Sequence, residues 1–256
     1  MHLLKKAIRN PRKALAYGRD RLLSIVGHRD YVPFILLARS RTGSNLLRSY
    51  LDSHPNVRIE WRLLARLDGR NLRDVLRAAY PREPRYVAAK GFKMFYNHPQ
   101  DDESGEVWDA LARIDDLHVI HLKRKNILRT LLSRKIAGIQ GVWMVESRGR
   151  AGVRPRKAVS FTVEELSDGF TQTRNWENTA DDRFHHHPML TLYYEDLVDD
   201  PEATIRAATR FLGVGDAEPR TTLIRQNPEA LSELITNYRE LKEAFEGTEW
   251  QEFFDE

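Results

Sequence analysis

The chain has no cysteine among its 256 residues. That excludes disulfides, thiolate metal sites and a cysteine nucleophile, and it suits a reducing, cytoplasmic setting. Long apolar runs are also missing: none approaches the roughly 18–20 residues that span a bilayer, and no secretory signal is legible. Low-complexity tracts and internal repeats are absent too. A general excess of basic charge is missing as well. Residues 1–30 carry eight Lys/Arg against Asp20 and Asp30, a net +6, so the rest of the chain is −2 of the total +4. The basic excess is therefore an N-terminal feature, which argues against a body shaped to coat nucleic acid.

What is present suits a globular protein: 41% hydrophobic and 30% charged residues. Residues 1–30 read as a basic helical segment, with Asn10-Pro11 as a start and Gly27 as a stop. Leu15, Leu22 and Val26 fall near one face, so the segment either packs on the body or contacts a membrane surface or partner. Residues 31–256 read as one α/β domain. Buried strands are expected at Phe34–Ala38, Tyr86–Phe92, Leu117–Leu122 and Met189–Tyr194. Helical patterns separate them, over Ser44–Leu51, Glu106–Ile114, Ile127–Ala137 and Pro201–Leu212, with Gly213 as a stop. Thr162-Val163-Glu164-Glu165 is a capping box opening another helix, and the tail from Pro228 is helical. Alternating strands and helices imply a mostly parallel central sheet flanked by helices on both faces, with ligands at the carboxyl ends of its strands. Gly138–Val159, with four glycines, reads as a mobile loop over the site.

Two strand ends carry chemistry. After Phe34–Ala38 the chain reads Arg39-Ser40-Arg41-Thr42-Gly43-Ser44-Asn45, and then a helix begins. Unpaired N–H groups, the helix dipole, a glycine that admits a close ligand and a fixed guanidinium make this an anion cradle. It is not the nucleotide-triphosphate loop, because no Lys follows Gly43 and Arg39 stands where the first glycine should be. The second strand end reads Lys123-Arg124-Lys125 before a helix that carries Ser133. Cations oppose the dipole at a helix start, and an anionic ligand relieves that conflict. Two such ends suggest a ligand with two separated anionic groups. The run His185-His186-His187 cannot turn all three rings to one metal in regular structure, and no metal site is expected.

Four segments in order resemble sulfotransferases that use 3′-phosphoadenosine 5′-phosphosulfate. "RTGSNLLRSYLDSHPNV" resembles their 5′-phosphosulfate loop, and "VIHLKRKNILRTLLSRKIAG" their 3′-phosphate segment. "LYYEDLVDDPEATIRAATRFLGV" and "RQNPEALSELITNYRELKEAFEGTEW" resemble later family blocks, so the likeness spans roughly residues 33–253. The bacterial branch acting on carbohydrates and glycolipids is the most similar. The resemblance implies a P-loop-like three-layer fold. It implies Arg41, Thr42, Gly43, Ser44 and Asn45 on the 5′-phosphosulfate and Arg124 with Ser133 on the 3′-phosphate. The implied product is adenosine 3′,5′-bisphosphate, and the implied acceptor a hydroxyl of a carbohydrate or glycolipid. Ser40 departs from the usual proline. The interval to Ser133 leaves Lys123 as an alternative to Arg124, which is preferred.

Sulfuryl transfer needs charge stabilisation and a general base. Arg41 and Lys93 are the expected charge stabilisers. Glu60, just after "SHPNVRI", is the first choice of base, and His98, after "AAKGFKMFYNH", the alternative. Trp143 is a candidate sugar-stacking residue, and Arg225-Gln226 a candidate closure over the nucleotide. Two rival readings compete. One is a P-loop kinase using ATP and Mg²⁺ held by Glu195 or Asp196. The other is a non-catalytic nucleotide- or membrane-binding module tethered by its basic arm.

Overall fold

The computed structural model describes residues 26–61, 63–142, 158–223 and 229–255. Most of the basic N-terminal segment, Trp143 and Arg225-Gln226 lie outside them, as does the greater part of the expected loop over Gly138–Val159. Five strands, β1 Val32–Ala38, β2 Val57–Glu60, β3 Ala89–Phe95, β4 His118–Lys123 and β5 Met189–Tyr193, form one parallel sheet in the order β2-β3-β1-β4-β5. Strand β1 is central, and Phe34 to Ala38 are fully buried. A strand with helices on both faces must be apolar along its length, and this one is.

Helices α1 Ser44–Ser53, α2 Leu72–Ala79, α3 Glu106–Ala112, α4 Ile127–Gln140, α5 Val163–Arg183, α6 Tyr194–Asp199 and α7 Pro201–Phe211 connect and cover the strands. Two short helices, α8 Leu231–Leu234 and α9 Tyr238–Ala244, then lead into a 3-10 turn at Gln251–Phe254. Side-chain alternation assigns the two faces. Phe34, Leu36 and Ala38 pack with Leu47 and Leu51 of α1 and Ile205 and Ala208 of α7. Ile35 and Leu37 pack with Phe92, Met94 and Val119, beneath Ala180 of α5 and Val107 of α3. A third cluster joins Leu128 and Leu132 of α4 to Phe170 of α5 and to Leu231, Leu241 and Phe253.

The expected α/β fold is therefore present as a P-loop-like three-layer arrangement. The Thr162–Glu165 capping box opens α5, with both reciprocal hydrogen bonds formed. One expectation needs correction. The strand expected at Tyr86–Phe92 runs from Ala89 to Phe95, since parallel register with Val32–Ala38 sets its limits. The carbonyl of Tyr86 instead accepts from Asn56 Nδ2. The edge strand β2 is an addition to the sequence reading. At the other end of the basic segment, His28 bridges to Glu83.

The chain leaves β1 towards β2 on one side and leaves β4 towards β5 on the other. The crevice between the carboxyl ends of β1 and β4 is thus a topological switch point, where open α/β sheets bind ligands.

Candidate active site

The turn between β1 and α1 is shaped by backbone that side chains rarely adopt. Arg41 has φ +76° and Gly43, the N-cap of α1, has φ +82°. The buried Thr42 ties the turn by donating its hydroxyl to the Arg39 carbonyl at 2.7 Å. Intrahelical bonding begins with the Leu46 and Leu47 amides, both donating to the Gly43 carbonyl. The amides of Ser44 and Asn45 precede it, at the positive end of the dipole, and the first turn holds no acidic residue. A Cβ on Gly43 would lie 2.3 Å from Cδ2 of Tyr194, so glycine is demanded by contact as well as by φ.

The end of β4 meets this turn. Asn126 caps α4 by accepting from the Arg129 amide. That orientation brings Ser133 of α4 to Arg41, whose Nε donates to Ser133 Oγ at 2.9 Å. Arg124 donates to the Arg41 carbonyl at 3.3 Å and stacks 4.5 Å above the Tyr194 ring. Tyr194 is thus a wedge between Gly43 and Arg124. The other two cations of the basic triplet face carboxylates: Lys123 Nζ reaches Asp181 at 2.6 Å and Lys125 Nζ reaches Asp196 at 2.6 Å. Glu195 accepts from the Lys125 amide and lies 3.7 Å from Arg124 Nε.

These groups open into one cavity of about 660 Å³ at the switch point. Arg39, Arg41, Arg66, Lys93, Arg124 and Arg134 line it, and no carboxylate does among the described residues. Gly43, Ser44, Asn45, Ser133 and His98 also line it, while Thr42 lies buried beneath. Lys93 is buried within β3, donates to Asn45 Oδ1 at 2.6 Å and lies over the ring faces of Phe95 and Trp61. Burial pulls Arg39 down to about 10, with the like charge of Arg134 adding to it, and burial also lowers Arg41. Both shifts mean that an anion entering the cavity is favoured, since it restores stabilisation that burial removed. Arg39 donates to the Gly169 carbonyl and stacks on Trp176.

Glu60 is not brought to the cavity. Val57 and Ile59 face the α1 core, so Glu60 turns to the opposite face of the sheet. There its carboxylate accepts from Lys90 Nζ at 3.0 Å. His98 does line the cavity, and its Nδ1 accepts the Phe95 amide proton at 3.3 Å. The lining also includes residues that are not among the sequence candidates, notably Arg66, Arg134 and the aromatic Tyr194, Tyr96, Trp61 and Trp176. Tyr96 could have been found from the alternation that places it on the face of Phe92 and Met94, one residue past the strand.

A family model described as "Sulfotransferase family" matches residues 33–218. Nodulation protein H of Rhizobium tropici is 32% identical over 237 residues, 87% of this chain and 93% of that protein. Nodulation protein H of Rhizobium meliloti (strain 1021) is 26% identical over 238 residues, 87% of this chain and 95% of that protein. Among solved structures, a sulfotransferase from Alicyclobacillus acidocaldarius matches with a TM-score of 0.49 at 15% identity, covering 83% of this chain and 90% of that one. By the family model and the 32% identity, the chain belongs to the sulfotransferase family.

Proposed function

We propose that this sulfotransferase takes its sulfuryl group from 3′-phosphoadenosine 5′-phosphosulfate and passes it to a hydroxyl of a carbohydrate or glycolipid. One observation carries the reading of the donor: two basic strand ends, joined by the Arg41–Ser133 hydrogen bond, line a single cavity in which no described carboxylate takes part. That donor set suits a ligand with two anionic ends. Arg41, Gly43 and the Ser44 and Asn45 amides would hold the 5′-phosphosulfate. Thr42 shapes the turn. Arg124 and Ser133 would hold the 3′-phosphate. The donor supplies the sulfuryl group and leaves as adenosine 3′,5′-bisphosphate. In this reading Lys93 and Arg41 would meet negative charge on the departing oxygen, in a cavity where fixed cations act more strongly than in water. The acceptor class rests on the likeness to proteins named nodulation protein H. Contact with an anionic membrane surface through residues 1–30, in a cytoplasmic setting, rests on the charge of that segment alone.

The rival kinase reading would use Glu195 or Asp196 for Mg²⁺, and both carboxylates already face Arg124 and Lys125. The test is transfer of labelled sulfuryl from the donor to a panel of sugars and glycolipids. The expected outcome is transfer without added metal, and a larger thermal stabilisation by the bisphosphate than by ATP with Mg²⁺. Greater stabilisation by ATP with Mg²⁺ would return the kinase. Bisphosphate binding with no turnover on the panel would leave only a binding module.

A further inference from the structure

The α5 face of the sheet carries polar residues where its apolar core ends. Alternation along three strands continues Ile35 and Leu37 into Arg39, Phe92 and Met94 into Tyr96, and Val119 into His121 and Lys123. Helix α5 covers them with Trp176, Glu177 and Asp181. Within this layer His121 is fully buried. Its Nδ1 lies 2.8 Å from Asp181 Oδ1, and its Nε2 lies 2.6 Å from the Tyr96 hydroxyl. Asp181 also receives Lys123 Nζ at 2.6 Å.

The donor and acceptor roles along this chain follow from the carboxylate. Burial works against ionisation of Asp181, but hydrogen bonds from His121 and Lys123 outweigh it and hold the carboxyl down at about 2. An ionised carboxylate only accepts, so His121 Nδ1 carries a proton. In the neutral ring Nε2 is then an acceptor, and the Tyr96 hydroxyl donates to it. Tyr96 lines the cavity and is 9% exposed, whereas the Asp181 side chain is 39% exposed at the other end. Hydrogen bonds therefore link a residue of the cavity wall, through the buried His121, to a partly exposed carboxylate.

We propose that Tyr96, His121 and Asp181 form the proton outlet of the active site: Tyr96 Oη takes the acceptor hydroxyl's proton as its own proton passes to His121 Nε2. The O–H bond of the acceptor breaks, a new O–H bond forms on Tyr96, and the Tyr96 proton becomes the Nε2–H of an imidazolium. No electron donor or acceptor is involved. The imidazolium is formed against the Asp181 carboxylate, the arrangement by which an acid orients a histidine and stabilises its charged form. Tyr96 is the catalytic residue here, and His121 and Asp181 act through it. Burial, then Glu177 and Asp181, raise Tyr96 so that it does not ionise alone, which is why the proton must be exchanged and not simply lost. The other charged groups facing the path are Lys123, Arg39, and Glu177 with its partner Arg174. This role rests on the sulfuryl-transfer reading.

The test uses the full chain and two conservative variants. Tyr96→Phe removes only the hydroxyl. In Asp181→Asn, Lys123 claims the amide oxygen because an ammonium only donates, and the amide nitrogen then faces His121 Nδ1, forcing the ring proton to Nε2. The first readout needs no donor: imidazole ¹⁵N shifts should show His121 protonated at Nδ1 in the parent and at Nε2 in Asp181→Asn. The second is bisphosphate release with water as the acceptor probe. Both variants should slow it by about tenfold or more, within the range of general-base effects, with bisphosphate affinity within about twofold of the parent. Tyr96→Phe should also flatten the rising limb of the rate–pH profile. Parent His121 protonated at Nε2, or an unchanged rate and profile in Tyr96→Phe, overturns the proposal. A parent that fails to bind the bisphosphate speaks instead against the donor reading, which the ring proton does not depend on.

Discussion

Replacing Gly43 with alanine puts the geometry of the anion turn to a quantitative test. Two costs add. The left-handed conformation at φ +82° is worth roughly 1–2 kcal/mol against a residue with a Cβ. The new methyl would lie 2.3 Å from Tyr194 Cδ2 and 2.8 Å from Cε2. Tyr194 cannot yield freely, because Arg124 stacks on it at 4.5 Å. Overpacking of this kind costs about 1–3 kcal/mol. The sum, about 2–5 kcal/mol, lowers Tm by roughly 5–15 °C for a chain of this size. Displacement of the wedge also moves Arg124, so affinity for adenosine 3′,5′-bisphosphate should fall by about tenfold or more. Gly69→Ala is the control: φ is +73° there, but no atom lies within 4 Å of the added methyl. It should bear the conformational cost alone and bind the bisphosphate as the parent does. Calorimetric unfolding and titration of both variants separate the two terms. The reasoning is refuted if Gly43→Ala melts with Gly69→Ala and keeps its affinity.

Removing Glu60 is expected to do little. Lys90 keeps Glu83 at 3.0 Å, and the Glu60 side chain is 55% exposed, so Glu60→Ala should stay folded, bind the bisphosphate and turn over. Lost turnover with intact binding would make Glu60 the base. Acid unfolding should report Asp181. Its folded pKa lies below the unfolded value, so its contribution is complete above about pH 4 and lost as pH falls towards about 2. Asp181→Asn should remove that part of the acid dependence. An unchanged acid limb in the variant would mean that the His121 and Lys123 contacts do not form.

The sequence reveals the central strand because five consecutive positions, Phe34 to Ala38, are apolar and must be covered on both faces. It hides β2: "VRIE" is four residues long, half of it charged, and its place comes from pairing Val57 with Ala89 of β3. It ends β3 too early because Lys93 looks like a surface residue, although it is buried. Arg41, Gly43 and Arg124 could be singled out because each belongs to a local strand-to-helix turn whose dipole logic is readable, and Ser133, inside α4, through the family resemblance. Tyr194 could not, since its role depends on contact with Gly43, more than a hundred residues away. Glu60 shows the limit of position without orientation. Its place after Ile59 is evident in the chain, but which face of the sheet it takes is set by the alternation of Val57 and Ile59 into the α1 core.

The central claim is that one cavity grips two separate anionic groups, the second through Arg124 and Ser133. It is tested most directly by titrating adenosine 3′,5′-bisphosphate and adenosine 5′-monophosphate, without metal, into the parent chain and Arg124→Ala. The parent should prefer the bisphosphate by about tenfold or more, as a charge-assisted contact implies, and Arg124→Ala should erase that preference while still binding the monophosphate. Equal affinity of the parent for the two nucleotides, or a preference that survives in Arg124→Ala, would contradict the account.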